Sequence, residues 1–180
     1  MKKLILSIAL LSLVACASNN PQKIADKRAE IDAMAAATLK GLLKESSGAK
    51  RLYDESYAYA VFSNVKVSLF LTGGGGKGVS VVKASGKRTY MNMGLGGLNL
   101  GLGAHKYQVV FLFESEKVFE DFVEYGWTAD ASASAVAGVK GANAGTTFTH
   151  GMAIYSITDV GLMLTADITG TKYWKSKTLN

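Results

Sequence analysis

The sequence predicts an α+β fold: one curled, mostly antiparallel β-sheet, barrel-like or sandwich, kinked at glycines, with an N-terminal amphipathic helix and one internal helix. Three observations carry this. β-rich runs dominate from Tyr57 onward, broken by turn signals. Apolar residues recur at helical spacing mainly in two stretches, 22–45 and 114–126. The chain has 20 glycines and one proline, so glycine sits inside regular structure, where it costs stability and needs a reason. At 180 residues, 48% hydrophobic and 19% charged, the chain fits one globular domain and not a disordered segment.

The first stretch, "MKKLILSIALLSLVACAS", has a basic start, an apolar run from Leu4 to Ala15 and a small-residue site. That run is too short to span a bilayer and reads as an export signal over residues 1–15. Its end, Leu13-Val14-Ala15-Cys16, resembles the bacterial lipobox, with Cys16 as the chain's only cysteine. Cleavage before Cys16 leaves a lipidated tether, 16–21, and each buried methylene of the acyl chains adds roughly 0.8 kcal/mol of membrane attachment. The alternative is ordinary secretion, cut after Ala17. Ala17 after the cysteine fits outer-membrane sorting with the domain facing the periplasm, by resemblance to other lipoproteins. Without Lys2 and Lys3 the formal charge falls from +6 to +4, a mild bias suited to anionic lipid and too weak to indicate nucleic acid.

Residues 22–56 form a helical segment. Ile24, Ile31, Ala35, Thr38, Leu39 and Leu42 share one face, with Asp26, Glu30 and Lys44 opposite. Pro21 suits the first turn and "SSG" stops the helix, with a second short helix expected over 48–55. The remainder, 57–180, is the sheet domain. Its expected strands are "YAYAVF", "VKVSLFLT", "GVSVVKA", "KRTYMNMGL", "LNLGLGA" and "YQVVFLF". "ESEKVFEDFVEYG" reads as a helix with Val118, Phe119, Phe122 and Val123 inward. An irregular ribbon or extended hairpin follows over 128–145, then two closing strands, "HGMAIYSI" and "VGLMLTADI", hinged at Thr158-Asp159.

The glycine runs raise the question of a phosphate cradle. In "LTGGGGKGVSVV" the residue five before Gly76 is Leu71, Lys77 is followed by Gly78, and a strand pattern follows instead of a helix, so no P-loop is present. No G-x-G-x-x-G can be completed from Gly94 or Gly101. No nucleotide, nucleic acid or other cofactor is expected. Gly73, Gly74, Gly75, Gly76 and Gly78 instead fit a bent strand or hairpin. The apolar face changes parity at Gly96 and Gly97, which predicts a bulge there, and Gly101 and Gly103 share the face opposite the leucines.

Catalytic patterns are thin: His105 and His150 stand far apart, no G-x-S-x-G elbow is present, and Asp130 and Asp167 are read as turn or edge residues. No metal site and no enzyme is expected, with hydrolysis at a cryptic site the remote exception. The C-terminal "KYWKSK" fits either an interfacial patch or a terminal strand with solvent-facing lysines.

Five motifs, in order, resemble the SYLF-domain family: "YAVF" its opening strand, "GGGGKGV" its glycine-rich hairpin, "LGGLNLGLGA" its second glycine strand, "ADASASAVAG" its small-residue ribbon, and "AIYSITDVGL" with Gly170 its closing strands. Ser63 stands where the family has proline, and Thr165 and Thr169 where it has a glycine and an acidic residue. The resemblance implies a non-catalytic module that binds phospholipid or phosphoinositide, and in yeast actin. It also implies headgroup contacts from a basic segment before the domain: here Lys23, Lys27, Arg28, Lys40, Lys44, Lys50 and Arg51. Membrane lipids are the expected partner, through headgroups or an acyl site; a structural or protein-interaction module of the cell envelope is the alternative.

Overall fold

The structure is a computed structural model that describes residues 20–129, 147–158, 161–163 and 170–180; for 69–71, 98–102 and 161–163 only the backbone is described. The export signal, Cys16, nearly all of the expected ribbon, the hinge at Asp159 and most of the last closing strand lie outside the described residues. The described chain has three helices, α1 (Pro21–Glu45), α2 (Ser47–Glu55) and α3 (Glu116–Glu124). Its strands are β1 (Ala58–Val82), β2 (Arg88–Phe113), β3 (Trp127–Thr128), β4 (Met152–Thr158), β5 (Gly161–Met163) and β6 (Thr171–Lys175). The class is α+β with a curled antiparallel sheet, as the sequence predicts.

Helix starts follow their caps. The Asn20 side chain accepts a hydrogen bond from the Gln22 N–H at 2.9 Å, with Pro21 in the first turn. Ser46 ends α1 by donating its N–H to the Leu42 carbonyl, and starts α2 by accepting from the Ala49 N–H at 3.1 Å. Lys83 closes the other end of α2: its ammonium donates to the carbonyls of Tyr53, Asp54 and Ser56 and lies over the Tyr53 ring.

The six short strands expected between 57 and 113 are in fact two long ones. β1 and β2 form one antiparallel ribbon from Ala58 paired with Phe113 to Val81 paired with Arg88, and the turn falls at "KASGK". The run Gly73–Gly78 is therefore inside a strand and is not a hairpin turn. The bulge is also displaced from its expected place. Gly96 and Gly97 pair in unbroken register with Gly73 and Thr72; the slip lies where Leu69 faces Leu102 but Leu71 faces Leu98. One residue of β1 there opposes three of β2, which bends the ribbon. Gly103, just beyond, has φ of +145° and takes a conformation that favours glycine.

Bent at this point, β1 folds back on itself. A Cβ on Gly74 would lie 2.2 Å from the Val65 carbonyl oxygen, one on Gly76 2.4 Å from that of Ser63, and one on Gly78 2.2 Å from that of Val61. Only an α-hydrogen fits each gap. Three alternate glycines thus let the two halves of one strand meet backbone to backbone. Asn64, fully buried here, has an amide with no hydrogen-bond partner among the described residues.

The curl makes two cores. Inside it, Ala60, Phe62, Met91, Met93, Val109, Phe111, Phe113, Ile154 and Tyr173 pack together, closed by Phe119, Phe122 and Val123 of α3. The Phe62 and Tyr173 rings sit 4.7 Å apart and the Phe113 and Phe122 rings 4.9 Å apart. On the other face, Ile31, Ala35, Leu39 and Leu42 of α1 and Leu52 of α2 cover Val61, Val79, Tyr90, Val110, Leu112 and Tyr155. The helical segment therefore shares a core with the sheet. Burial on both faces explains why "YAYAVF" and "VVFLF" lack strict alternation. On the far side of the ribbon, β4 pairs with β2 over Tyr107–Phe113 and β6 with β2 over Met91–Leu95.

Burial pushes the Tyr155 hydroxyl up to about 12 and raises Tyr173 further. The unfolded chain ionises its tyrosines near pH 10 while the native state keeps these two protonated. Stability is thus intact below pH 10 and falls as pH rises beyond it, by at most about 1.4 kcal/mol per pH unit for each such group. Urea midpoints measured from pH 8 to 11.5 should drop above pH 10, and Tyr155→Phe should flatten the drop.

Candidate functional site

The basic residues assigned to headgroup contact do not form one surface. The apolar face of α1 is used up against the sheet, so the helix has none left to lay on a membrane. Arg28 turns inward: its Nε donates to the Leu179 carbonyl at 2.9 Å and its guanidinium lies 5.5 Å from the centre of the Tyr90 ring. Tyr90 in turn donates to Asp32 at 3.0 Å, and Asp32 sits 3.5 Å from the Arg88 Nε. This cluster ties α1 to the hairpin end of the sheet and to the C-terminal residues. Lys27 pairs with Glu30 at 2.8 Å and Lys50 with Asp54 at 2.7 Å. Arg51 is exposed and also partnered. Lys23, Lys40 and Lys44 are exposed, with small residues, Ala29, Ala33, Ala36 and Ala37, along the outward face between them.

A groove of about 400 Å³ lies where α1 crosses the folded β1 strand. Lys27, Glu30, Ile31 and Met34 of α1 form one wall; Ser63 and Val65 line it from one half of β1, and Gly75, Gly76 and Lys77 from the other. The groove exists because the glycines hold the two halves together under the helix. Its lining is apolar at Ile31, Met34 and Val65, carries the Lys27–Glu30 ion pair and is cationic at Lys77. Val65 and Val67 are 41% and 42% exposed, unusual for large apolar residues in a strand. Such a groove can take an aliphatic chain against its walls and an anionic group at its rim.

The sequence marks Lys27 as a headgroup contact and the glycines as structural, but does not place either in a groove, and it gives Lys77, Met34 and Val65 no binding role, because nothing local marks that β1 folds under α1. Among the predicted glycines, Gly74, Gly76 and Gly78 serve the close approach and Gly103 the bend. Gly73, Gly75, Gly96 and Gly97 point to open or nearly open space. Gly101 lies in the stretch whose backbone alone is described. "KYWKSK" is a strand whose Tyr173 is buried while Trp174 stays 40% exposed and Lys175 pairs with Glu124 at 2.6 Å.

A second hollow, about 280 Å³, lies between α3 and the hairpin, lined by Tyr57, Phe119, Val123, Lys87 and the carboxylates of Glu116, Glu120 and Glu124. The Tyr57 hydroxyl donates to Glu116 at 3.0 Å, and this bond raises its pKa. Among the described residues no group of His, Cys, Asp and Glu could hold a metal ion. His105 is exposed on β2, and His150 takes φ of +51° in the turn before β4. No described helix is long and apolar enough to cross a membrane.

No known family's sequence profile matches the chain. It is 43% identical over 160 residues to Beta cell expansion factor A of Aeromonas veronii, an alignment that takes in 89% of this chain. The chain spans 61% of that relative's length, so the activity in its name is a statement about that protein.

The geometry separates anchoring residues from free ones. Arg28→Ala should cost about 1–2 kcal/mol in urea denaturation, through loss of the carbonyl bond and the cation–π contact. Lys23→Ala, Lys40→Ala and Lys44→Ala should each stay within about 0.5 kcal/mol of wild type.

Proposed function

We propose that the chain is a non-catalytic lipid-binding module of the bacterial envelope, anchored at the outer membrane through Cys16, facing the periplasm, and touching anionic lipid with its folded domain. The observation that carries this reading is the groove between α1 and the folded ribbon, with the Lys77 ammonium and the exposed Val65 in its lining and Lys27 there paired with Glu30. An apolar lining with a cation at its rim complements an anionic amphiphile. The positive charge left after signal removal and the ordered resemblance to the SYLF-domain family support the same reading. The exposed alanines at 25, 29, 33 and 37, spaced along one face of α1, favour a second reading, a protein-interaction module.

Vesicle co-sedimentation of residues 16–180 carrying Cys16→Ser, free of the apolar leader and unable to take a thioether-linked lipid, tests the proposal. Phosphatidylglycerol-containing vesicles should bind it and pure phosphatidylcholine should bind it poorly. Each lysine near the surface contributes about 1 kcal/mol at low salt, so raised ionic strength should weaken the binding. Absence of binding to any vesicle contradicts the proposal and favours a protein partner.

A further inference from the structure

The outward face of the sheet has a patch with no side chains. Directly paired residues in antiparallel strands share a face. The pairs Gly73 with Gly96 and Gly75 with Gly94 therefore set four glycines in a block, two on each strand. Among the described residues, a Cβ on Gly73 or Gly96 would meet nothing within 4 Å, one on Gly75 only the Met93 carbonyl oxygen at 3.3 Å, and one on Gly94 only the Trp174 ring, from 3.1 Å. Packing explains the inward glycines Gly74, Gly76 and Gly78; it does not explain Gly73, Gly75 and Gly96. Glycine inside a strand weakens it, and where the space above is open, the remaining use is close approach by something outside the fold.

The border of the block tells what approaches. Lys77, Asn92 and Trp174 stand side by side across three strands in the next row. Lys172 pairs with Gly94 on the opposite flank from Gly75. The groove under α1 opens onto the same floor, since Gly75 and Lys77 line both, and it brings Lys27 and the apolar Val65. Lys77 and Lys172 are exposed and, among the described residues, neither is ion-paired. The carboxylate lining the groove, Glu30, is bound to Lys27. The patch is thus a backbone floor, bare at Gly73, Gly75 and Gly96 and overhung by the Trp174 ring at Gly94, with cations on two sides, and tryptophan favours the headgroup depth of a bilayer.

We infer that this glycine floor seats the anionic headgroup of a membrane phospholipid, with Lys77 and Lys172 flanking the phosphate and Trp174 entering the interface beside it. The inference rests on the lipid-binding reading above and locates it on the sheet instead of on the outward face of α1.

The test compares three double variants of the same Cys16→Ser chain, residues 16–180, on phosphatidylcholine vesicles with and without phosphatidylglycerol. Gly73→Val/Gly96→Val fills the floor, keeps every charge and places β-branched side chains where the strand accepts them. Lys77→Glu/Lys172→Glu reverses the flanks. Lys40→Glu/Lys44→Glu reverses charge on the outward face of α1. The floor and flank variants should each lose roughly tenfold or more in affinity for the anionic vesicles, with urea midpoints retained. Trp174 emission should shift to the blue with wild type and not with the flank variant. If the valine pair does not fold, the flank variant and the emission shift still decide. Anionic vesicles bound equally by wild type and the floor and flank variants, but lost by Lys40→Glu/Lys44→Glu, overturn the floor and leave lipid binding standing. Wild type that binds no vesicle removes the lipid reading and this inference together. Soluble glycerol phosphate bound as tightly as the anionic vesicles, by calorimetry, overturns membrane docking in favour of a free-anion site.

Discussion

Backbone meeting backbone along β1 is the contact on which the rest of the molecule depends. A ribbon of two strands, 25 and 26 residues long, cannot bury both faces while it stays straight. Bent at Leu69–Leu71 and pressed together at Gly74, Gly76 and Gly78, it becomes a curl with an inside and an outside. The inside collects the aromatic core that α3 seals. The outside, drawn into one continuous surface, is what α1 and α2 cover. A methyl group at any of the three glycines would drive the halves apart and disturb both cores at once, since close-packed interiors transmit such strain.

The glycines divide by the face on which they fall, and the division separates fold from function. Within Gly73–Gly78, those with inward parity are consumed by the close approach. Those with outward parity leave a floor open to solvent, beside the groove where α1 crosses. Because side chains alternate along a strand, one run, Gly73–Gly78, supplies both. This also explains why the run resists motif reading: its two halves answer to different constraints, and neither is a phosphate loop.

Much of the architecture was legible in the sequence, for local reasons. Pro21, the stop at Ser46 and the spacing of Ile31, Ala35, Leu39 and Leu42 mark α1, and the spacing of Phe119, Phe122 and Val123 marks α3. The turn signal "SGK" falls within the observed turn at "KASGK". The strands were legible only as fragments, because glycine in a run looks like punctuation until the partner that tolerates it is known. That partner is another part of the same strand, and no local pattern announces it. The bulge was misplaced for the same reason: parity along one strand cannot tell which residues of the other oppose it. The basic residues of the helical segment were legible as charges but not as contacts. Arg28 serves Leu179 and Tyr90 instead of solvent, whereas Lys77 and Lys172 acquire neighbours only through cross-strand register.

The most direct measurement is a comparison of urea stability between Gly76→Ala and Gly73→Ala. These positions lie three residues apart in one strand and have the same local sequence character. A Cβ on Gly76 would fall 2.0 Å from Asn64 Oδ1 and 2.4 Å from the Ser63 carbonyl oxygen, while one on Gly73 would meet nothing within 4 Å. The account predicts a loss of about 2 kcal/mol or more at Gly76, and no loss, or a gain of about 0.5 kcal/mol, at Gly73. Equal effects at the two positions would contradict the folded-back strand and, with it, the separation of the two glycine faces.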